Sequence, residues 1–215
     1  MLTYRLWVSN YFSDKAAVQA REDLLLSWNR PVTTTLKSST PVSGSSPTES
    51  LEVALNTNQK PFALIYIPRI REDVWGIPIF EGVNSKQLNS GIGHYPTSSN
   101  LGEEGNFSLF GHRTSFGQPF SDIQELRIGD QVIVETKDFW FVYRLAFDRI
   151  VKPNAVWVTN SQRIPELGIA VDAPYNVITL VTCEPRYSTS QRWVWWGVLQ
   201  SILPHRTPPL ALQQP

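Results

Sequence analysis

The chain has 215 residues, with 19 Lys and Arg against 19 Asp and Glu, three His and one Cys. Balanced charge excludes a domain built to hold nucleic acid, which needs a basic excess to displace counterions from phosphate, and 41% hydrophobic residues with eight Trp exclude a disordered chain. A single Cys excludes an intramolecular disulfide and a zinc site of several thiolates, and no run reaches the roughly 18 consecutive apolar residues that a membrane span needs.

Ser13 and Asp14 are suited to cap a helix running to about Trp28, with Ala17, Val18, Leu24 and Leu25 at helical spacings. Ahead of it, Leu2-Thr3-Tyr4-Arg5-Leu6-Trp7-Val8 is apolar and aromatic. This stretch fits two readings equally: an arm packed on the domain, and the outer end of a membrane helix, since Trp and Tyr favour the interface. Residues 1–30 are therefore expected to form a helical arm. Over residues 33–50, eleven of eighteen positions are Ser or Thr, interrupted by Pro41 and Pro47. Such a composition buries too little apolar surface to offset its ordering entropy, and predicts a flexible linker over residues 31–60.

The folded domain is expected over residues 61–203, and all-β. Apolar runs at 62–68, 75–80, 106–110, 131–136, 140–147, 155–158, 176–182 and 192–199 read as short strands. Pro78 marks the second run as an edge or a bulge, and residues 137–139 join the fourth and fifth runs in a hairpin. Many short strands with Gly, Pro and Asn between them imply a barrel or a sandwich. Residues 204–215 hold four Pro in twelve and are expected to be a disordered tail.

Cys183 ends the run 176–182 and precedes Glu184-Pro185, where proline stops the ladder and leaves the thiol at the strand's lip. A lone Cys in a β-rich domain is most often a small buried hydrophobe; its place at a strand end and the presence of partners point instead to chemistry. His112 follows Gly111, which allows an unusual backbone angle or a close approach. It is either an ordinary turn histidine or the base that keeps a nearby Cys as thiolate, the form that attacks acyl groups. His94, in a loop, competes for that role, and His205 lies in the proline-rich tail. Arg192, nine positions after Cys183, brackets with it one loop between two strands. It is either a solvated strand-end Arg or a guanidinium that stabilises a thiolate or oxyanion.

Thr179-Leu180-Val181-Thr182-Cys183, with Arg192 downstream and Gly111-His112-Arg113 upstream, resembles the signature of the sortases. The resemblance covers roughly residues 61–200 and implies the eight-stranded sortase β-barrel, with short helices such as one in the stretch from Pro119 to Leu126. Gly93-His94-Tyr95-Pro96, Gly111-His112-Arg113-Thr114 and Cys183-x-Pro185-Arg186 are most similar to class E, the actinobacterial housekeeping type. Glu184 departs from that class, which usually has His or Asn after the Cys. A carboxylate beside the nucleophile disfavours the thiolate or perturbs pairing with Arg192.

What the resemblance implies is a cysteine transpeptidase with Cys183, His112 and Arg192 as catalytic residues, and Tyr95 and Thr182 as substrate-binding residues. Cys183 attacks the carbonyl between Thr and Gly of a Leu-Ala/Pro-x-Thr-Gly signal, His112 moves the amine proton, and Arg192 holds the oxyanion. Tyr95 reads the second residue of the signal, and Thr182 assists at the oxyanion. No cofactor or metal is implied; Glu103-Glu104 reads as a solvated loop. The implied partners are surface proteins with C-terminal sorting signals and a peptidoglycan amine. The implied place is the outer face of the cell membrane, with a membrane helix upstream of the recorded start. Two alternatives stay open: a hydrolytic cysteine peptidase or other thiol enzyme, and a non-enzymatic surface-binding barrel. An L,D-transpeptidase is disfavoured, since it would carry His two residues before the nucleophile, where Val181 stands.

Overall fold

A computed structural model describes residues 2–29, 60–161, 163–170 and 173–213, with the side chains of the first helix from Asp14 onward. Helix α1 (Leu2–Asn29) precedes eight strands: β1 (Pro61–Tyr66), β2 (Trp75–Glu81), β3 (Ile92–His94), β4 (Gly105–Phe110), β5 (Gln131–Glu135), β6 (Phe139–Val151), β7 (Asn176–Glu184) and β8 (Gln191–Pro204). The strands close into a barrel in the order β1-β2-β3-β4-β7-β8-β6-β5, as the all-β reading and the family resemblance led one to expect. A one-turn helix α2 (Ser85–Leu88) and several 3-10 segments fill the connections, including Ile123–Glu125 in the stretch expected to be helical. Closure removes every open edge, the usual liability of a sheet.

The apolar runs read as strands because most of them are buried on both faces. Inward residues such as Ile65, Ile79, Phe107, Leu109, Leu180 and Trp195 fill the barrel. Outward residues of β1, β5 and β6, among them Leu64, Tyr66, Ile133 and Val142, are covered by α1 together with the C-terminal residues Ala211 and Leu212. Outward residues of β7 and β8, among them Val177, Val181, Val194 and Trp196, are covered by the β6–β7 connection. Alternation in a strand then shows as continuous hydrophobicity rather than a period of two.

Several expectations change. Helix α1 does not start at Ser13 but runs from Leu2, so the apolar Leu2–Val8 stretch is its first part. Its docking face is Ala17, Arg21, Leu24 and Trp28, a helical stripe against the barrel; Val18, expected on that stripe, is 56% exposed. No described helix is long and apolar enough to cross a membrane. Of the expected linker, residues 31–59 lie outside the described residues. Pro78 sits in β2, an interior strand of the closed barrel rather than an edge, and the bulge falls nearby: the register slips between Ile65 and Tyr66, where Gly76 takes a left-handed φ of 71°.

The run 155–158 is not a strand. It forms part of a 3-10 helix, Val156–Thr159, because a barrel already closed through β6, β8 and β7 offers it no edge to join. The eighth strand is instead β3, three residues long and paired in parallel with β2. It escapes sequence reading because glycines frame it. A Cβ at Gly91 would collide with the Pro78 carbonyl, and one at Gly93 with the Gly82 carbonyl, so the close approach that makes the strand also removes its apolar signal. The tail does not read as its proline content predicted. Through Gln213 it is ordered, with a 3-10 turn at Leu210–Leu212. The His205 ring lies flat on Trp140 at 5.2 Å, its Nε2 contacts Glu135 Oε1 at 2.8 Å, and its carbonyl accepts from Trp140 Nε1.

Candidate active site

Strands β4 and β7 run in parallel, Phe110 opposite Val181, and the ladder continues past β4 with Gly111 N–H donating to the Val181 carbonyl at 3.2 Å. His112 stands two residues past Phe110, just beyond the end of β4, and Cys183 two residues past Val181 on β7. On the other side of β7, Cys183 and Arg192 are direct antiparallel partners on β8. Directly opposed residues share a face with Cα atoms about 4.5–5.5 Å apart. The three residues read from the sequence therefore lie on, or just beyond, three adjacent strands, with Cys183 on the middle one.

Face alternation sorts the neighbours. Val181, Val194 and Phe110 point outward onto the β6–β7 side, and Cys183 and Arg192, each two residues along their strands, follow them. The thiol is half-buried and free. Thr182 points the other way. It is 2% exposed, and its hydroxyl donates to the Gly111 carbonyl at 2.8 Å. The side chain braces the segment that leads to His112 from inside the barrel, so only the Thr182 backbone is left to face a substrate on the side of Cys183.

His112 is half-buried, and its Nε2 lies 3.2 Å from Asn89 Oδ1 in the turn after α2. An amide oxygen accepts only, so Nε2 carries the proton and the neutral ring keeps its lone pair on Nδ1. Burial pushes its pKa below the ordinary histidine value. The Phe116 ring lies 5.3 Å from the imidazole and closes one side. Gly111 is needed for space rather than for an unusual angle, because a Cβ there would meet the Phe120 ring at 2.7 Å.

Arg192 Nη1 donates to the carbonyls of Thr189 and Gln191 at 2.9 and 2.8 Å, which holds the guanidinium at the mouth of a small outward pocket of about 140 Å³. Tyr95, Phe110, Val181, Val156 and Lys152 also line this pocket, with the Tyr95 ring 5.6 Å from that of Phe110. The structure so brings Tyr95 together with Arg192, on the face that Cys183 shares. A peptide lying here would meet a largely apolar wall and two cations, Lys152 and Arg192.

His94 does not compete for the base role. It belongs to β3, is 2% exposed, and stacks on Phe107 at 4.8 Å inside the barrel. Its Nδ1 contacts Glu81 Oε2 at 2.8 Å, and its Nε2 lies 3.1 Å from the Ser99 carbonyl. It lines a larger cavity of about 430 Å³ with Phe62, Glu81 and Phe141. That cavity opens where β4 begins, the barrel end opposite to the one where β4 and β7 deliver His112 and Cys183. Among the described residues, no group of three or more His, Cys, Asp or Glu could hold a metal; Glu103 is engaged by Asn100, and Glu104 by the Tyr175 N–H.

Two residues of this site carried no sequence signal as single residues: Asn89, which orients the histidine, and Arg113, which reaches across the end of β7. Arg113 was visible only as a part of Gly111-His112-Arg113.

The family described as Sortase domain matches residues 65–200. The chain is similar to the sortase SrtE1 of Streptomyces coelicolor, 33% identical over 91% of this chain and 51% of the relative. It is also similar to SrtE2 of the same organism, 31% identical over 99% of this chain and 81% of the relative. It therefore spans about half the length of the first of these. Among solved structures, sortase E1 from Streptomyces coelicolor with a tripeptide in its active site superposes with a TM-score of 0.65 at 32% identity, over 73% of this chain and 98% of that one.

Proposed function

The chain belongs to the sortase family, and on that premise we propose that it is a cysteine transpeptidase, most like class E, that attaches surface proteins to a cell-wall amine. The observation that supports this reading is the direct pairing of Cys183 with Arg192 on β7 and β8, next to the strand that leads to His112 and beside a pocket walled by Tyr95. Its substrate is a Leu-Ala/Pro-x-Thr-Gly sorting signal, cut between Thr and Gly.

The chemistry follows from the placement. The Cys183 thiol passes its proton to the free Nδ1 of His112, and the thiolate attacks the Thr carbonyl carbon as the C–O π pair moves to oxygen, toward the Arg192 guanidinium. The C–N bond then breaks, and the departing Gly amine takes its proton from His112, leaving a thioester on Cys183. An incoming amine yields a proton to His112 as it attacks the thioester, and the thiolate leaves. Tyr95 and Phe110 pack against the signal's side chains. Depression of the His112 pKa makes the proton easy to surrender to an amine.

The place of action under this reading is the outer face of the cell membrane. A membrane tether belongs to this reading. The family supports this reading, as does the tripeptide in the active site of sortase E1 for a peptide substrate. Mass spectrometry of the protein incubated with Leu-Ala-x-Thr-Gly and Leu-Pro-x-Thr-Gly peptides, with and without a glycine nucleophile, tests it. The expected result is an acyl-enzyme on Cys183, and a transfer product that exceeds hydrolysis once the amine is present. Hydrolysis unaffected by amine would favour a peptidase, and no acylation at all a binding barrel.

A further inference from the structure

Glu184 places a carboxylate next to the nucleophile, and the structure gives it a partner. The Arg113 guanidinium forms an ion pair with Glu184 through Nη1. The same nitrogen donates to the Cys183 carbonyl at 3.3 Å, and Nη2 donates to Gln124 Oε1 at 3.1 Å. The group lies 5.3 Å over the Trp193 ring, and the residue is 6% exposed. Gln124 passes the chain on to Asp122, which pairs with Arg186 at 3.0 Å, and Arg186 also donates to the Ser121 carbonyl. A continuous set of charges and amides thus ties the segment after His112 to the turn after Cys183.

Alternation along β7 puts the Glu184 side chain on the inner face, with Thr182, and not on the groove face of Cys183. The carboxylate is therefore not placed to receive an acceptor amine. Left unpaired there, it would oppose the thiolate one residue away.

We propose that Arg113 and Glu184 form one positioning couple, in which Arg113 cancels the charge beside the nucleophile and locks the Cys183–Glu184 turn against the segment bearing His112. The inference rests on the reading of Cys183 as nucleophile. The other charged or titratable groups around the thiol are His112 at the end of β4, Arg192 on β8, Arg186 in the turn with its partner Asp122, and Lys152 on the far wall of the groove. Arg186 is satisfied by Asp122 and Ser121, and Arg192 by backbone carbonyls. Only Arg113 touches Glu184 among the ion pairs of the described residues.

The test measures alkylation of Cys183 by iodoacetamide as a function of pH, with thermal melting in parallel, for the full chain and for Arg113→Gln, Glu184→Gln and the double variant. Arg113→Gln is expected to slow alkylation at neutral pH about tenfold, moving the profile to higher pH, because a tenfold change matches about one unit of proton affinity. The double variant is expected to return to within about twofold of the parent. A double variant as slow as Arg113→Gln alone would overturn the couple. Glu184→Gln provides an independent arm where Arg113→Gln does not fold. It keeps size and a hydrogen-bonding oxygen, and is expected to speed alkylation about threefold because Arg113 is then unopposed; an unchanged profile refutes the proposal. Alkylation needs no peptide. A parent that showed these profiles but never acylated with sorting peptides would sink the proposed activity and leave the couple standing.

Discussion

Thr182 Oγ1 donates to the carbonyl of Gly111 across 2.8 Å inside the barrel, so the residue before Cys183 holds the residue before His112. Thr182→Val keeps the shape but leaves a buried carbonyl without its partner. It is expected to cost about 1–3 kcal/mol in denaturant unfolding. Turnover of a sorting peptide is expected to fall as well, because His112 loses its brace, while Thr182→Ser retains both. A Val variant with full turnover would show that the hydrogen bond serves stability alone.

Gly111→Ala presses a methyl group against the Phe120 ring, where a Cβ would stand at 2.7 Å. The expected loss is about 1–3 kcal/mol, as for overpacked cores, read from the shift of the unfolding midpoint at constant slope. Adding Phe120→Leu makes room and is expected to recover part of it.

Acid lowers stability through His112. In the unfolded chain this ring titrates at the ordinary value of 6.5, while burial in the fold pushes it lower. As pH falls below 6.5 the unfolded state binds the proton first, so the fold loses stability until the folded pKa is passed. Above 6.5 both states are neutral at this ring and its contribution is flat. The difference in melting temperature between the parent and His112→Gln is expected to move in favour of the variant on acidification from pH 7 to pH 5. A pH-independent difference would contradict the buried environment.

Helix α1 docks through one stripe. Leu24→Ala is expected to cost about 2–3 kcal/mol, since a 7% exposed leucine is removed from a cluster with Leu64, Tyr66 and Ile133. Val18→Ser, on the open face, is expected to stay within about 0.5 kcal/mol. Equal effects in denaturant titrations would mean that the helix does not rest on the barrel as described.

The residues that the sequence singled out for chemistry are those that have unusual neighbours in sequence. Cys183 sits before Glu-Pro, His112 after Gly, and Arg192 at the start of an apolar strand, and the fold gathers these three. The misassigned residues fail for physical reasons. Thr182 shares the motif with Cys183, yet side chains alternate along a strand, so adjacency in sequence means opposite faces. β3 hides because two glycines give it contact without hydrophobicity. Residues 155–158 are apolar because they cover Trp196 from outside, not because they pair. The tail's prolines suit an ordered strap as well as a loose one, and only the Trp140–His205 stack decides between them. Arg113 and Asn89 could not be found by composition at all, since their roles exist only through contacts made across the barrel end.

The hydrogen bond from Thr182 to Gly111 spans 71 positions of sequence, and the two strands it joins are parallel neighbours. Parallel neighbours cannot be linked by a tight turn, so the histidine strand waits for the whole β5–β6 hairpin and the long connection after it before its partner strand arrives. Loop closure of that span must come before the contacts that repay it, which places assembly of the reacting groups late and makes folding slow for the chain's size. A truncated chain that ends before β7 keeps His112 and Asn89 but lacks Cys183. The same delay means that a nascent copy leaving the ribosome cannot set Cys183 against Arg192 until its last strands are in place.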